Sequence, residues 1–309
     1  MEPKHIVDIV FMVTVGVIGV FGNALIIVTV IFNKQLQTIS NVFIVYVAIA
    51  DLFVCAFMCP IVATNTLMGY DVIGFHCAWF GYLCMISLGI SINMLAVLAV
   101  DRYFYICRQG QYRKVFNPRS VVGISFGVLL YVCLMCMPGF FGWGKTAFVT
   151  KIGYCIYNHM DSISYTLFLM SIGIIMPLTI TFICYIKTFI TIRSSSKSVA
   201  SHNTNVTSKS TAQSKKMRQV LAFFLVSLLF VLFWSPYALT VIIDSGDILP
   251  KEWLVFVTRL AISNSCVNSI MYGIVNKNFR NGYKKVLLCG TKQEEHREIS
   301  VNTVTMSQP

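Results

Sequence analysis

Long apolar runs without a charged residue alternate with short polar segments along this chain. Two further runs contain one charge each: 41–70 is equally apolar except for Asp51, and 260–276 is shorter but is extended past Arg259 by 253–258. Since backbone groups in lipid must be satisfied within their own segment, the pattern predicts seven transmembrane helices. The charge-free runs exceed the roughly 18 residues that a spanning helix needs and are 9–33, 72–100, 120–144, 162–186 and 219–243.

We predict an all-α fold, a seven-transmembrane helix bundle plus a short amphipathic helix on the inner leaflet. Residues 1–8 would form an outer N-terminus, 277–289 the amphipathic helix and 290–309 a cytoplasmic tail. In the amphipathic helix, apolar positions recur at helical spacing between basic ones. The predicted spans are about 9–33, 41–68, 74–107, 119–141, 162–191, 215–243 and 252–275.

The charge distribution predicts an orientation. With 24 Lys and Arg against 12 Asp and Glu, the net charge of +12 would suggest nucleic acid in a soluble protein. However, 56% of the residues are hydrophobic and only 12% are charged, which excludes an ordinary soluble domain. Nineteen of the basic residues fall on the cytoplasmic side if the N-terminus is extracellular, which is the usual positive-inside bias. We therefore predict a multi-pass plasma-membrane protein with a cytoplasmic C-terminus, whose basic face meets membrane lipids and not nucleic acid.

The longest predicted cytoplasmic connection, residues 193–213, is rich in Ser, Thr and Asn, as is typical of a flexible polar loop. A glycosylation sequon at Asn205 lies within it, and we expect no glycan on that side of the membrane. Cys289 follows the amphipathic helix and is either a palmitoylated cysteine or a free thiol.

Two of the 11 cysteines lie at the predicted outer face. Cys77 opens span three, and Cys155 lies in the connection between spans four and five. Because thiols on that side are in an oxidising setting, we predict a disulfide that pins the connection over the mouth of the bundle. Most other cysteines lie inside spans, where they pack as small apolar side chains.

Asp51 is the sole carboxylate deep inside a predicted span, where a charge is costly and points to function. Asn23, Ser91, Asn264 and Asn268 could surround it with neutral oxygens. Such a set suits a small hard cation, so we predict a sodium site at Asp51, Ser91, Asn264 and Asn268 and no other metal. The alternative is a structural carboxylate that is hydrogen-bonded to neighbouring helices.

Three motifs lie at the ends and bends of the spans. Asp101-Arg102-Tyr103 ends span three, Trp234 precedes Pro236 in span six, and Asn268 to Tyr272 ends span seven. Taken singly, each is equally compatible with interfacial anchoring or core packing. We expect kinks at the inner prolines, which are Pro60, Pro138, Pro177 and Pro236.

Together these residues resemble the rhodopsin-like (class A) G protein-coupled receptors over about residues 10–289. Family landmarks occur in order in every predicted span except the fourth. They are Gly22-Asn23, Asn41, Ala48, Asp51, Pro60, Cys77, Ser91, Asp101-Arg102-Tyr103, Cys155, Pro177, Tyr185, Phe230, Trp234, Pro236, Asn268, Tyr272 and Phe279.

The chain departs from that family pattern in several places. The usual fourth-span tryptophan is missing near Leu129, Phe233 replaces a cysteine, and Ser269 replaces a proline. Lys216 stands where an acidic residue often restrains Arg102. Without that restraint we expect appreciable basal signalling.

Within the family, residues 103–112 and 264–279 are similar to melatonin receptors. The ligand-contact residues do not carry over, because Gly139 and Gly173 stand where those receptors have asparagine and histidine. The resemblance therefore does not assign melatonin as the ligand.

The resemblance implies a receptor and not an enzyme. It would bind an extracellular ligand and activate a heterotrimeric G protein. The residues implied in the activation switch and in G-protein coupling are Asp101, Arg102, Tyr103, Tyr185, Phe230, Trp234, Pro236, Asn268 and Tyr272.

The predicted ligand pocket is mainly apolar, which favours a small neutral or weakly polar ligand. Cys84 stands where amine receptors have an aspartate, and Ile262 where a retinal-binding lysine would lie, so we expect neither ligand and no cofactor beyond sodium. Melatonin-like, lipid and short-peptide ligands are the alternatives. The predicted lining is Phe80, Cys84, Met85, Leu88, Tyr157, Leu169, Tyr237, Val241, Thr258 and Ile262.

A transporter or channel is the alternative class for seven spans. A transporter should show internal repeats and broken helices, and neither is evident in the sequence. A membrane hydrolase would need clustered histidines and acids, but all five histidines lie outside the span interiors.

Overall fold

The computed structural model describes the backbone of residues 3–201, 206–244 and 248–288, and the side chains of 3–194, 224–244 and 248–288. Within these residues, seven helices are long and apolar enough to cross a membrane, which confirms the predicted fold class. Spans one to seven are Pro3–Phe32, Ile39–Met68, Gly74–Cys107, Pro118–Phe141, Ile163–Ser194, Phe224–Ile243 and Lys251–Val275.

Two boundaries differ from the prediction. Span one begins at Pro3, so the segment predicted as an outer N-terminus is largely the first turns of that helix. Helical backbone continues beyond span five to Ser201 and resumes at Val206 before span six, where a flexible loop was expected. Extending an existing helix avoids the cost of nucleating a new one, so polar residues join it readily. Asn205 of the sequon lies outside the described residues.

Two of the spans contain a short π-helical segment just before a proline. A proline lacks the N–H of a regular helix and crowds the carbonyl four residues before it. The helix has π geometry over Val54–Met58, just before Pro60, and over Leu169–Ile175, just before Pro177. Pro236 lies inside the helix of span six.

Short elements that the sequence analysis did not predict connect the spans. A helix, Gln109–Val115, lies between spans three and four, and span four ends in a 3-10 turn, Met137–Phe141. Between spans four and five, β1 (Thr146–Val149) and β2 (Tyr154–Tyr157) form an antiparallel hairpin in which Phe148 pairs with Cys155. This hairpin is the one sheet among the described residues.

Span three forms the centre of the bundle, against spans two, four, five and six and the hairpin. Span one packs on spans two and seven, and span six packs on spans five and seven. Small residues permit the closest approach, because a Cβ on Gly22 would overlap Ser269 Oγ. Large apolar side chains such as Phe32 and Phe126 are exposed, as a surface that faces lipid requires.

The chain is also helical over residues 277–288, where the amphipathic helix was predicted. Phe279 is fully buried and stacks on Tyr272 at 5.5 Å between ring centroids. Tyr283 donates a 3.3 Å hydrogen bond to the Ser269 carbonyl, which ties this helix to span seven. Cys289 and residues 290–309 lie outside the described residues.

Candidate ligand cavity and activation core

A cavity of about 100 Å³, here called the inner cavity, lies between spans three to seven and beneath the hairpin. Its walls are predominantly apolar, and no carboxylate or ammonium lies among the described residues that line it. These residues are Met85, Leu88, Gly89, Ile92, Met135, Cys136, Tyr154, Ile156, Tyr157, Leu169, Met170, Gly173, Ile174, Phe230, Trp234, Tyr237, Thr258, Ala261 and Ile262.

Three residues of the predicted pocket do not line the inner cavity. Phe80 packs on Phe53 of span two, with ring centroids 6.3 Å apart. Cys84 is fully buried in the core, and Val241 lies one helical turn beyond Tyr237, near the end of span six at Ile243. The seven predicted residues that do line it are Met85, Leu88, Tyr157, Leu169, Tyr237, Thr258 and Ile262.

The hairpin forms the roof of the inner cavity through Tyr154, Ile156 and Tyr157. The predicted disulfide between Cys77 and Cys155 is present and joins this roof to span three. The Tyr154 hydroxyl is neutral at physiological pH, as any tyrosine is, and burial raises its pKa still further above the usual value. Sequence reasoning missed Tyr154, although aromatic and β-branched residues around a turn glycine are a hairpin signal.

The hairpin turn is tied to span two. Gly153 has φ +75°, a left-handed backbone conformation that favours glycine. Its carbonyl accepts a 3.0 Å hydrogen bond from Asn65 Nδ2, and Asn65 Oδ1 accepts one from the Val72 amide at 3.0 Å. Asn65 therefore orders the connection that closes the cavity.

An aromatic stack forms the floor of the inner cavity. The rings of Phe230 and Trp234 are stacked at 5.6 Å and 10°, and Tyr237 meets the Trp234 ring edge-on at 5.9 Å. Trp234 Nε1 is buried and has no hydrogen-bond partner among the described side chains and backbone. An acceptor on a bound molecule could satisfy it, because a buried unpaired donor is costly.

Asp51 is almost completely buried, with 1% of its surface exposed. Ser91 Oγ donates to Asp51 Oδ1 at 3.0 Å, and Asn268 Nδ2 donates to Asp51 Oδ2 at 2.8 Å. Asn264 is not hydrogen-bonded to Asp51 in this arrangement. Its buried Oδ1 has no partner within the described part of the chain. Carboxylate, hydroxyl and amide groups are of the types that hold a small hard cation, and the buried Asn264 Oδ1 is an acceptor that such an ion could satisfy.

A second buried carboxylate organises the predicted cytoplasmic end. Asp101 accepts hydrogen bonds from Ser40 Oγ at 2.5 Å and Tyr112 Oη at 3.0 Å, and Arg102 Nε lies 3.4 Å from Asp101 Oδ2. Burial and the nearby Asp101 charge raise the pKa of Tyr112 to about 12, which keeps its hydroxyl a donor. Sequence reasoning missed Ser40 and Tyr112, which become neighbours of Asp101 only through folding.

Other predicted switch residues gather in one buried cluster. Tyr185 and Tyr272 are 3% and 1% exposed and lie in the same apolar cluster as Phe230 and Trp234. Tyr103 is directed elsewhere, since its hydroxyl accepts a 3.5 Å hydrogen bond from Arg108. The side chain of Lys216 lies outside the described residues.

Seven apolar helices around a buried cavity define a seven-span membrane protein, and the comparison with known families decides which class it is. The family described as 7 transmembrane receptor (rhodopsin family) matches residues 22–272. The chain belongs to that family and is a class A G protein-coupled receptor in the plasma membrane, as its motifs predicted.

Among individual proteins, the chain is similar to melatonin receptors. It is 31% identical to melatonin receptor type 1C of Gallus gallus over 90% of this chain and 81% of that protein. It is 30% identical to melatonin receptor type 1C of Xenopus laevis over 88% of this chain, but spans only 65% of that protein. The crystal structure of squid rhodopsin shares the fold, with a TM-score of 0.84, 22% identity and coverage of 94% of this chain and 88% of that one.

Proposed function

We propose that this receptor binds a small, neutral, mainly apolar ligand in the inner cavity and activates a heterotrimeric G protein at its other end. The observation that carries the proposal is that Phe230 and Trp234 both line the cavity and stack on each other. A ligand there would contact the side chains through which span six could respond. We propose no enzymatic activity for the chain.

The chemistry of the lining supports a neutral ligand. An ionised ligand would lose its hydration in this cavity without gaining an opposite charge, because no carboxylate or ammonium lies among the described lining residues. Trp234 Nε1 and the hydroxyl of Tyr237 are available to orient one or two polar atoms. We propose no retinal, because Ile262 stands where its lysine would lie.

The alternative ligands fit less well. The relatives are named melatonin receptors, but Gly173 lines the inner cavity without a side chain, where a histidine would supply a polar group. A short peptide carries many backbone polar groups, which the predominantly apolar walls would leave without partners. A lipid-like ligand matches the apolar walls and is the runner-up.

The two-state mechanism we propose follows the buried contacts. A ligand that packs differently on Trp234 in two bundle arrangements shifts their populations. The inner half of span six would then swing about Pro236. Arg102 would leave Asp101, which lies 3.4 Å away in this arrangement, and meet Tyr185 and Tyr272.

We propose a membrane orientation with the N-terminus outside and the C-terminus in the cytoplasm. It leaves nineteen basic residues on the inner side, where they face anionic lipid headgroups and the G protein. The helix over 277–288 would then lie on the inner leaflet, with exposed Leu287 and Leu288 toward lipid.

The function is tested with neutral aromatic and lipid-like compounds on cells that carry sensors for several G protein subtypes. A true agonist loses its effect in Trp234→Ala and keeps it in Trp79→Ala, a matched variant whose side chain is 62% exposed on span three. Strong responses to amines alone would contradict the neutral ligand. Ion flux without G protein activation would favour the channel class instead.

We also propose that sodium at Asp51, Ser91, Asn264 and Asn268 stabilises the inactive arrangement. By linkage, sodium then lowers agonist affinity, and agonist lowers sodium affinity. Asp51→Asn removes the charge that holds the ion, so agonist affinity should become independent of sodium. Asp161→Asn, an exposed carboxylate, is the matched control. Equal sodium sensitivity in both variants would rule out this site.

A further inference from the structure

A second cavity, here called the outer cavity, lies between the outer ends of spans one, two and seven and the turn of the hairpin. Its volume is about 560 Å³, and none of the described residues lines both cavities. Several charged side chains line it: Lys4, Asp8, Lys151, Lys251, Glu252 and Arg259.

The outer cavity concentrates positive charge. In the proposed orientation the outer segments hold five basic residues, and all but Lys145 line this cavity. Those segments also hold seven carboxylates, and two of them, Asp8 and Glu252, line it. The face as a whole therefore has more acidic than basic residues, whereas the cavity has more basic than acidic ones. The positive charge of the cavity is a local feature and not the general charge of that face.

Arg259 is the group on which the site is built. It lies within span seven and is only 5% exposed. Its Nε and Nη2 meet Asp8 Oδ1 and Oδ2 at 2.8 and 3.0 Å, and Nη2 also donates to the Ile152 carbonyl at 2.9 Å. The remaining nitrogen, Nη1, is buried and has no hydrogen-bond partner in the described part of the chain. Arg259 lines the cavity, and a buried guanidinium donor without an acceptor is costly, so an acceptor that reaches Nη1 gains a strong contact.

The Asp8 contact identifies the chemistry that Arg259 recognises. A planar guanidinium holds a carboxylate through two parallel hydrogen bonds, and this fork is already formed with Asp8. Apolar side chains complete the cavity wall, among them Phe11, Phe148 and Phe256. A ligand for this wall therefore combines an anionic head with an apolar body.

We propose that the outer cavity is a second binding site, for an organic carboxylate with an aromatic body. The carboxylate meets Arg259 Nη1 and the ammonium groups of Lys151 and Lys251, and the body packs on the phenylalanine rings. The Asp8 carboxylate competes with the ligand for the same guanidinium, and it occupies that guanidinium when no ligand is bound. The site joins spans one and seven through one ion pair, which ligand binding alters.

The test uses purified receptor in zwitterionic lipid nanodiscs, with 1-naphthylacetate as the probe and neutral 1-naphthylacetamide as its matched compound. Thermal unfolding at increasing probe concentration gives the apparent affinity, since a ligand that binds only the folded state raises Tm. Naphthylacetate should raise Tm. The double variant Lys151→Gln/Lys251→Gln should weaken its binding about fivefold, the effect of two partly exposed ion pairs. Lys145→Gln, the basic residue outside the cavity, should leave binding unchanged.

Asp8→Asn separates a binding site from a merely structural ion pair. This variant leaves Arg259 without its carboxylate, so its Tm should fall, and naphthylacetate should raise that Tm further than it raises the wild-type Tm. Naphthylacetamide should raise neither the wild-type Tm nor the Tm of Asp8→Asn. The proposal is overturned if the amide matches the acetate, or if Lys145→Gln weakens binding as much as the double variant. No G protein is present in this assay, so its outcome is independent of the proposed signalling function.

Discussion

Loss of the bridge between Cys77 and Cys155 should release the roof of the inner cavity. Cys155 lies in β2 between Tyr154 and Ile156, which both line the cavity. The variant Cys77→Ser/Cys155→Ser therefore acts on the hairpin directly and on ligand binding through it. Cys184→Ser, which removes a free cysteine of span five, is the matched control.

The size of the effect follows from the length of chain that gains freedom. The bridge spans 78 residues, for which loop-closure entropy gives about 4.5 kcal/mol at room temperature. Spans three and four stay helical in the membrane, however, so only the segment from the end of span four, at Phe141, to Cys155 is released. About 14 residues give about 3 kcal/mol, or on the order of a hundredfold in the opening equilibrium.

Hydrogen exchange of the hairpin amides measures this equilibrium, because exchange requires local opening. Amides of Thr146–Val149 and Tyr154–Tyr157 should exchange on the order of a hundredfold faster in the double serine variant. Those of the inner half of span three should not change, and agonist affinity should fall. Unchanged hairpin exchange would refute the reasoning and would mean that Asn65 and Arg259 hold the turn without the disulfide.

Two further outcomes follow from the cavity and the switch. Gly173→Leu should fill the inner cavity, since even a Cβ at this position would lie 3.0 Å from Met135 Sδ. Agonist potency should then fall by more than about tenfold, while surface expression stays unchanged. An unaltered dose–response curve would place the ligand elsewhere. Lys216→Glu should restore an acidic partner for Arg102 and lower basal second-messenger levels. Basal levels that are equal in both forms and indistinguishable from those of mock-transfected cells would contradict the expected basal signalling.

The linear pattern was sufficient for the spans and their motifs because the bilayer acts locally. Each span must be apolar and long enough to cross, so charge-free runs place it within a few residues. The same pattern missed the first turns of span one. Lys4 and Asp8 interrupt the apolar run there, but the helix already begins at Pro3. It also missed the hairpin, whose strands of four residues carry little periodic signal.

Seven of the ten residues of the predicted lining meet in the inner cavity, and the others show what helix geometry alone does not decide. Met85 and Leu88 are three residues apart on span three, so they lie on one face of that helix, and both line the cavity. Phe80 lies on the same span but faces Phe53 of span two. Which residues share a helix face is a local property, whereas the neighbour that each face meets is set by how the helices assemble.

The order of apolar runs, the family motifs and the position of Asp51 are properties of the chain itself, since they require only the bilayer and helical geometry. The contact between Asp8 and Arg259, 251 residues apart, is decided by packing, as are the Asp101 contacts to Ser40 and Tyr112 and the enclosure of the inner cavity by the hairpin. Buried polar groups must find partners, but which partner each one reaches depends on how the helices assemble.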